Sequence, residues 1–158
     1  MNNFIFKHGL TKSQIDELIH YSNTDKQVLS FTSDKTRFAN REAFDNWFRT
    51  NPVIYTLSDK DGKLCGLIWF QEISLKDHPD FDITFAIRLY GQARGKGLSL
   101  DFMKKAFKDF KPQNVWLQCS ADNLPAVTLY KKFGFELVSE PDKNGKIIML
   151  LKNLPSRF

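Results

Sequence analysis

Leu89-Tyr90-Gly91-Gln92-Ala93-Arg94-Gly95-Lys96-Gly97-Leu98-Ser99 is the stretch on which the fold turns. Ile83, Phe85, Ile87 and Leu89 lead into it, an apolar alternation of period two that reads as a strand with one buried face. A helical pattern leads out, with Phe102, Met103, Ala106, Phe107 and Phe110 on one face and Lys104, Lys105 and Lys108 away from it. The unit is therefore strand, glycine-rich basic loop, helix. Glycines let the backbone turn tightly and approach a ligand closely. Free N–H groups at the helix start, aided by the helix dipole, make an anion site. Arg94 and Lys96 add full positive charge, so the natural guest is phosphorylated.

Spacing excludes two common phosphate loops. For G-x-x-x-x-G-K-[ST], Gly91 to Gly95 is one residue too short, and Gly97 stands where a hydroxyl for magnesium belongs. For G-x-G-x-x-G, Gly95-x-Gly97 is followed by Leu100 rather than Gly. The pattern that fits is R/Q-x-x-G-x-G/A, and it resembles the pyrophosphate loop of the GNAT acetyltransferase superfamily. Two registers fit: Gln92 to Gly97, and Arg94 to Ser99 with a Ser in the last small position. The second is preferred, because it places Leu89 at the strand end with a short link to the arginine.

About thirty residues on, Val115 to Ser120 reads as another buried strand, followed by Asn123-Leu124-Pro125-Ala126-Val127-Thr128-Leu129-Tyr130-Lys131-Lys132-Phe133-Gly134-Phe135. This resembles the second GNAT signature, N-x-x-A-x-x-L-Y-x-x-x-G-F, at every specified position. Local physics explains much of it. Asp122 or Asn123 can cap a helix, Pro125 suits its first turn, and Gly134 ends it. Ala126, Leu129, Tyr130 and Phe133 share one face. The resemblance covers roughly Ile83 to Val138.

The rest of the chain fits one domain over residues 1–158, long enough for a sizeable core. Hydrophobic content of 42% and charged content of 26% are ordinary for a globular protein, while 15 Phe predict an aromatic core. The net charge of +5 favours an anionic partner, but the basic residues are dispersed and no nucleic-acid motif is present. Neither a signal peptide (Met1 to Leu10 has no long apolar core) nor a membrane span is read, which predicts a cytoplasmic protein without membrane contact. Cys65 and Cys119 lie in strand-like runs and read as buried, reduced thiols. His8, His20 and His78 lack ligand spacing, so no metal is expected.

Phe4 to Phe6 reads as a first strand, Thr11 or Ser13 as the cap of a helix through Ile15, Leu18 and Ile19, and Lys26 to Phe38 has no assignment. Asn40 caps a second helix that stops before Pro52. Val53 to Leu57, the turn Asp59 to Gly62, and Leu64 to Ile73 form a hairpin, and Ile147 to Leu151 is the last strand. The order β-α-α-β-β-β-α-β-α-β-β makes an α/β fold. In the family this is a central mixed, mostly antiparallel twisted sheet flanked by helices.

The resemblance implies acetyl-CoA as co-substrate, lying in a cleft where two central strands splay. Its arm would pair with backbone at Ile87, Arg88 and Leu89, and its pyrophosphate would sit on Arg94, Gly95, Lys96, Gly97, Leu98 and Ser99. Asn123, with Ala126 of the same signature, would bind the cofactor arm. An N–H near Leu89 would stabilise the oxyanion, and Tyr130 would point its hydroxyl at the thioester sulfur. Tyr130 then either donates a hydrogen bond without ionising or has a locally lowered pKa. Many members carry a basic Glu where this chain has Ala86, leaving Glu72 and Asp82 as substitute bases, with Glu72 the choice. The implied activity is acetyl transfer to the primary amine of a small-molecule or peptide acceptor. The region of Phe31, Phe38, Phe44, Trp47 and Phe48 would form the acceptor wall. Net charge makes a polycationic acceptor the less favoured one, and a homodimer is left open. A non-catalytic acyl-CoA-binding module is the alternative of the same fold, and a nucleic-acid-associated protein the alternative from charge.

Overall fold

The computed structural model describes residues 3–152. Residues 1 and 2 of the stretch read for a leader, and residues 153–158 of the expected domain, lie outside the described residues. The elements are β1 (Ile5–His8), α1 (Lys12–Thr24), α2 (Lys26–Phe31), α3 (Arg41–Phe48), β2 (Val53–Ser58), β3 (Leu64–Glu72), β4 (Ile83–Leu89), α4 (Ser99–Phe110), β5 (Val115–Ser120), α5 (Leu124–Phe133), β6 (Glu136–Leu137) and β7 (Lys146–Leu151). A short 3₁₀ turn, Gly91–Ala93, joins β4 to the basic loop.

The seven strands form one sheet in the order β1-β2-β3-β4-β5-β7-β6. Every neighbouring pair is antiparallel except β4 with β5. This is the mixed, mostly antiparallel α/β sheet expected. Alternation along β3 and β4 divides the core between two faces. Tyr55, Leu57, Ile68, Phe70 and Phe85 pack under α4 and α5, with Phe102, Met103, Ala106 and Phe107. Ile54, Leu67 and Trp69 pack under α1–α3, with Leu18, Val28, Phe38, Phe44 and Trp47. α4 lies so close to the sheet that a Cβ on Gly66 would stand 3.1 Å from the Phe102 ring and 2.9 Å from Leu89.

Three helices precede β2 where the sequence pattern suggested two. The extra one, α2, falls in the unassigned stretch. Asp25 ends α1 and starts α2, its carboxylate accepting from the N–H groups of Gln27 and Val28. At six residues with only Val28 buried, α2 shows no amphipathic period to read. Thr11 caps α1 through a capping box with Gln14, and Asn40 caps α3, as expected. β1 runs two residues beyond Phe6. Of the acceptor-wall aromatics, Phe38, Phe44 and Trp47 are core and Phe48 is half-exposed. Both cysteines are free, but Cys119 is only partly buried.

Candidate active site

β4 and β5 pair at two positions only, Ile83 with Val115 and Thr84 with Trp116. Beyond them the strands part. β5 remains paired with β7 as far as Ser120, and β4 with β3 as far as Leu89. Antiparallel strands alternate bonded and non-bonded pairs. At the two ends of β4, Tyr90 N–H donates to Cys65 and Ile73 N–H donates to Asp82, both across the β3 side. The residues between follow the same alternation. Thr84, Ala86 and Arg88 direct their backbone groups to β3, while Phe85, Ile87 and Leu89 direct theirs into the gap toward β5.

The gap opens a cavity of about 610 Å³. Of the residues expected at the cofactor, Ile87, Arg88, Leu89, Arg94, Gly95, Ser99, Asn123, Ala126 and Tyr130 all line it. Lys96, Gly97 and Leu98 do not. Lys96 turns out over the Phe4 ring at 5.7 Å, Gly97 is exposed, and the Leu98 side chain is buried in the core. The position of Arg88 needs correction. Its backbone faces β3, so it cannot pair with an arm lying in the gap, and its side chain enters the cavity from the α1–α3 face instead.

The loop has the build of an anion site. Gly95 and Gly97 have φ of +71° and +68°, the left-handed region where a side chain is strained, and no atom lies within 4 Å of where a Cβ would stand. Leu98 is the N-cap of α4 and supplies no side-chain cap, so the first N–H groups of α4 remain available. Arg94 donates from Nη2 to Asp25 at 2.8 Å, which ties the loop to the start of α2. Its Nε is buried and has no partner among the described residues. A buried donor of this kind fits an anion in the cavity. Gln92, the first residue of the competing register, bonds instead to Asp59 at 3.0 Å and is absent from the cavity lining.

On the other wall Asn123, one of the two residues expected to cap α5, occupies the N-cap position, and its side chain makes no cap bond. That leaves its amide for the cavity. Tyr130 is 7% exposed. Burial, with Cys119 nearby, pushes its phenol well above the ordinary value, so the locally lowered pKa considered from sequence is not found. Tyr130 stays a neutral donor.

Neither substitute base is in the cavity. Glu72 is exposed and follows Trp69-Phe70-Gln71 on the face of Phe70, opposite to the cavity-lining Trp69 and Gln71. Asp82 is exposed before β4 begins. Among the described residues the lining contains no carboxylate and no imidazole. Sequence reading missed Arg37, Trp69, Gln71 and Trp116 on the lining, all outside the two signatures.

A family model described as "Acetyltransferase (GNAT) domain" matches residues 8–136. The chain belongs to the GNAT acetyltransferase family. No curated protein matches it by sequence. Among solved structures it is similar to an N-acetyltransferase from Staphylococcus aureus Mu50 (TM-score 0.75, 17% identity, 95% of this chain and 98% of that one). It is also similar to spermidine N-acetyltransferase from Vibrio cholerae in complex with CoA and spermine (TM-score 0.72, 16% identity, 96% of each chain). A third similar structure is an aminoglycoside N(6')acetyltransferase from Legionella pneumophila (TM-score 0.68, 21% identity, 94% of this chain and 91% of that one). At these identities the likeness extends to the GNAT fold. Among the described residues no helix is long and apolar enough to cross a membrane.

Proposed function

We propose that this GNAT member is an N-acetyltransferase that moves an acetyl group from acetyl-CoA to the primary amine of a small acceptor by direct attack. The observation that carries the reading is the parting of β4 from β5. Unpaired backbone groups of Ile87 and Leu89 there face a cavity that also holds Tyr130 and Asn123. In this reading Arg94 and the α4 N-terminus bind the pyrophosphate, Asn123 and the small face of Ala126 hold the arm, and the Leu89 N–H receives the developing oxyanion.

The amine lone pair forms the new C–N bond and the C–S bond breaks, its electrons leaving on sulfur. Tyr130 donates a hydrogen bond to that sulfur. A free tyrosine already lies ~1.5 pKa units above a thiol, about 2 kcal/mol against full transfer, and burial widens the gap. The thiolate therefore leaves stabilised rather than protonated by Tyr130. With no base on the described lining, the ammonium proton passes to water before attack, and the second proton, which the nitrogen sheds once the C–N bond has formed, passes through water to the departing thiolate. Arg37 and Arg88 assist by disfavouring a second positive charge in the cavity. Two free thiols fit a reducing cytoplasm.

The test is a thermal melt with acetyl-CoA and CoA, with ATP and NAD as controls, followed by free-thiol release with an amine panel. Ligand at ~100 times Kd adds about 2.7 kcal/mol, which raises Tm by several degrees. Absence of a shift at millimolar acetyl-CoA would overturn the reading.

A further inference from the structure

The acceptor end of the cavity is positively charged and aromatic. Every charged residue on the described lining is an arginine: Arg37, Arg88 and Arg94. Their pairing differs. Arg94 holds Asp25 at 2.8 Å. Arg37 has Asp34 at a loose 3.9 Å, and the other oxygen of Asp34 is taken by Thr36 and the Arg37 N–H. Arg88 has no carboxylate partner among the described residues. Its guanidinium donates to two hydroxyls, Ser22 Oγ at 3.1 Å and Thr32 Oγ1 at 3.2 Å, and also interacts with the buried Tyr90 phenol.

Two aromatic rings lie beside both guanidinium groups. Arg88 lies 5.3 Å from the centroids of both Trp69 and Phe38, and Arg37 lies 5.3 Å from Trp69 and 5.9 Å from Phe38. Aromatic contact holds a guanidinium by cation–π attraction and uses none of its hydrogen-bonding capacity, so N–H groups are left for other partners. Two like charges are thus held over the same pair of rings, partly out of water. Burial and the nearby Arg88 outweigh Asp34 and lower the pKa of Arg37 below the usual arginine range. An anion at this place relieves both repulsion and desolvation. Arg94 is held by Asp25 and belongs to the pyrophosphate loop; of the two guanidinium groups at Trp69 and Phe38, Arg37 has Asp34 nearby and Arg88 has no carboxylate, so a single negative charge completes the balance there.

We infer that the acceptor is an amine that also carries one carboxylate, received by Arg88 and Arg37 at the Trp69 end of the cleft. This deepens the acetyltransferase reading and rests on it. The carboxylate anchors the acceptor against the α1–α3 wall, with its amine directed at the thioester beside Leu89 and Tyr130. A polyamine or an aminoglycoside at this end meets the guanidinium groups of Arg37 and Arg88 and no described acidic residue on the lining, and is disfavoured for that reason.

Matched pairs provide the test. α-Amino acids, ω-amino acids and short peptides are compared with their carboxamides by thiol release, with spermidine, an aminoglycoside and an amino sugar phosphate as further arms. The free carboxylate is expected to exceed its amide in kcat/KM by about tenfold or more, the factor that ~1.4 kcal/mol supplies. Arg88→Gln should bring that ratio close to one, and Arg88→Lys should retain part of it. The acetyl-CoA shift in Tm, measured on every variant, reports folding and cofactor binding independently. Equal use of acids and amides, a preference for the polycations or the sugar phosphate, or turnover of no carboxylate-bearing amine would overturn the inference while acetyl-CoA still binds. So would Arg88→Gln weakening the acetyl-CoA shift with the carboxylate preference intact, because Arg88 would then serve the cofactor. Loss of any acetyl-CoA shift in the parent protein would instead bring down the transferase reading itself.

Discussion

The two helical layers grip the same sheet by different chemistry. Phe70 and Trp69 are neighbours on β3 and face opposite layers. Phe70 lies in a mostly aromatic group, with ring centroids 4.8 Å from Phe110, 5.0 Å from Phe107 and 5.5 Å from Phe85, and with Tyr55, whose hydroxyl donates to Asp109, at its edge. Trp69 packs edge-on to Phe38 and Trp47 but carries two guanidinium groups as well. On the same side Gln14 is buried and bonds to Ser58 and the Gly62 carbonyl. The α4–α5 side is a dry platform that sets the loop and α5 in place. The α1–α3 side keeps polar groups at hand for whatever enters the cleft. A shared fold can therefore hold one cofactor geometry while the acceptor wall changes its charge.

The largest effect tests the platform. Phe70→Ala removes a 1% exposed ring from that cluster and should cost about 3–5 kcal/mol, a fall in Tm on the order of 10 °C. A fall of only a degree or two in a calorimetric scan would mean that this layer is not the rigid half.

Next comes the chemistry across the gap. Tyr130→Phe should lower kcat by about ten- to a hundredfold, the worth of a hydrogen bond to a charged group, and leave the acetyl-CoA shift in Tm unchanged. Unaltered turnover removes Tyr130 from the mechanism.

The Arg94–Asp25 pair joins the two halves and has a definite pH signature. Burial works against the Asp25 charge, but the Arg94 hydrogen bond and the backbone bonds from Val28 and Gln27 outweigh it and hold the carboxyl below its ordinary value. A lowered folded-state pKa contributes stability above the unfolded value near ~4 and loses it as pH falls through the folded value. Asn is an equally good cap, so Asp25→Asn isolates the charge. Its Tm should lie a few degrees or less below the parent at neutral pH, and the gap should close at pH values under about 4. A gap that widens in acid would reverse the sign and refute the account.

The smallest expected effect is none. Glu72→Gln should leave the pH profile of kcat/KM unchanged, because the carboxylate is exposed and absent from the cavity lining. A lost or shifted acidic limb would place a base where the geometry provides no path for one.

The platform was the legible half. The loop from Arg94 to Ser99 and the run from Asn123 to Phe135 owe their pattern to local needs: positive φ, an open helix start, a Pro in the first turn and a terminating Gly. Needs within a dozen residues are written in a dozen residues. Arg37, Trp69, Gln71 and Trp116 come from a loop and from β3 and β5, and they meet only because the sheet brings those two strands to either side of the gap beside β4. α2 itself escaped notice because six residues with one buried side chain carry no period.

Sequence alone therefore determined the strand–loop–helix unit around Arg94 to Ser99 and the strand–helix unit around Asn123 to Phe135, since each depends on backbone conformation and on apolar spacing along one segment. Only the tertiary structure decided which backbone groups face the gap, that Glu72 lies outside it, and that Arg88 and Arg37 line the cavity beside Trp69. Those outcomes follow from strand pairing and the packing of two layers on a sheet, and they depend on residues far apart in the chain.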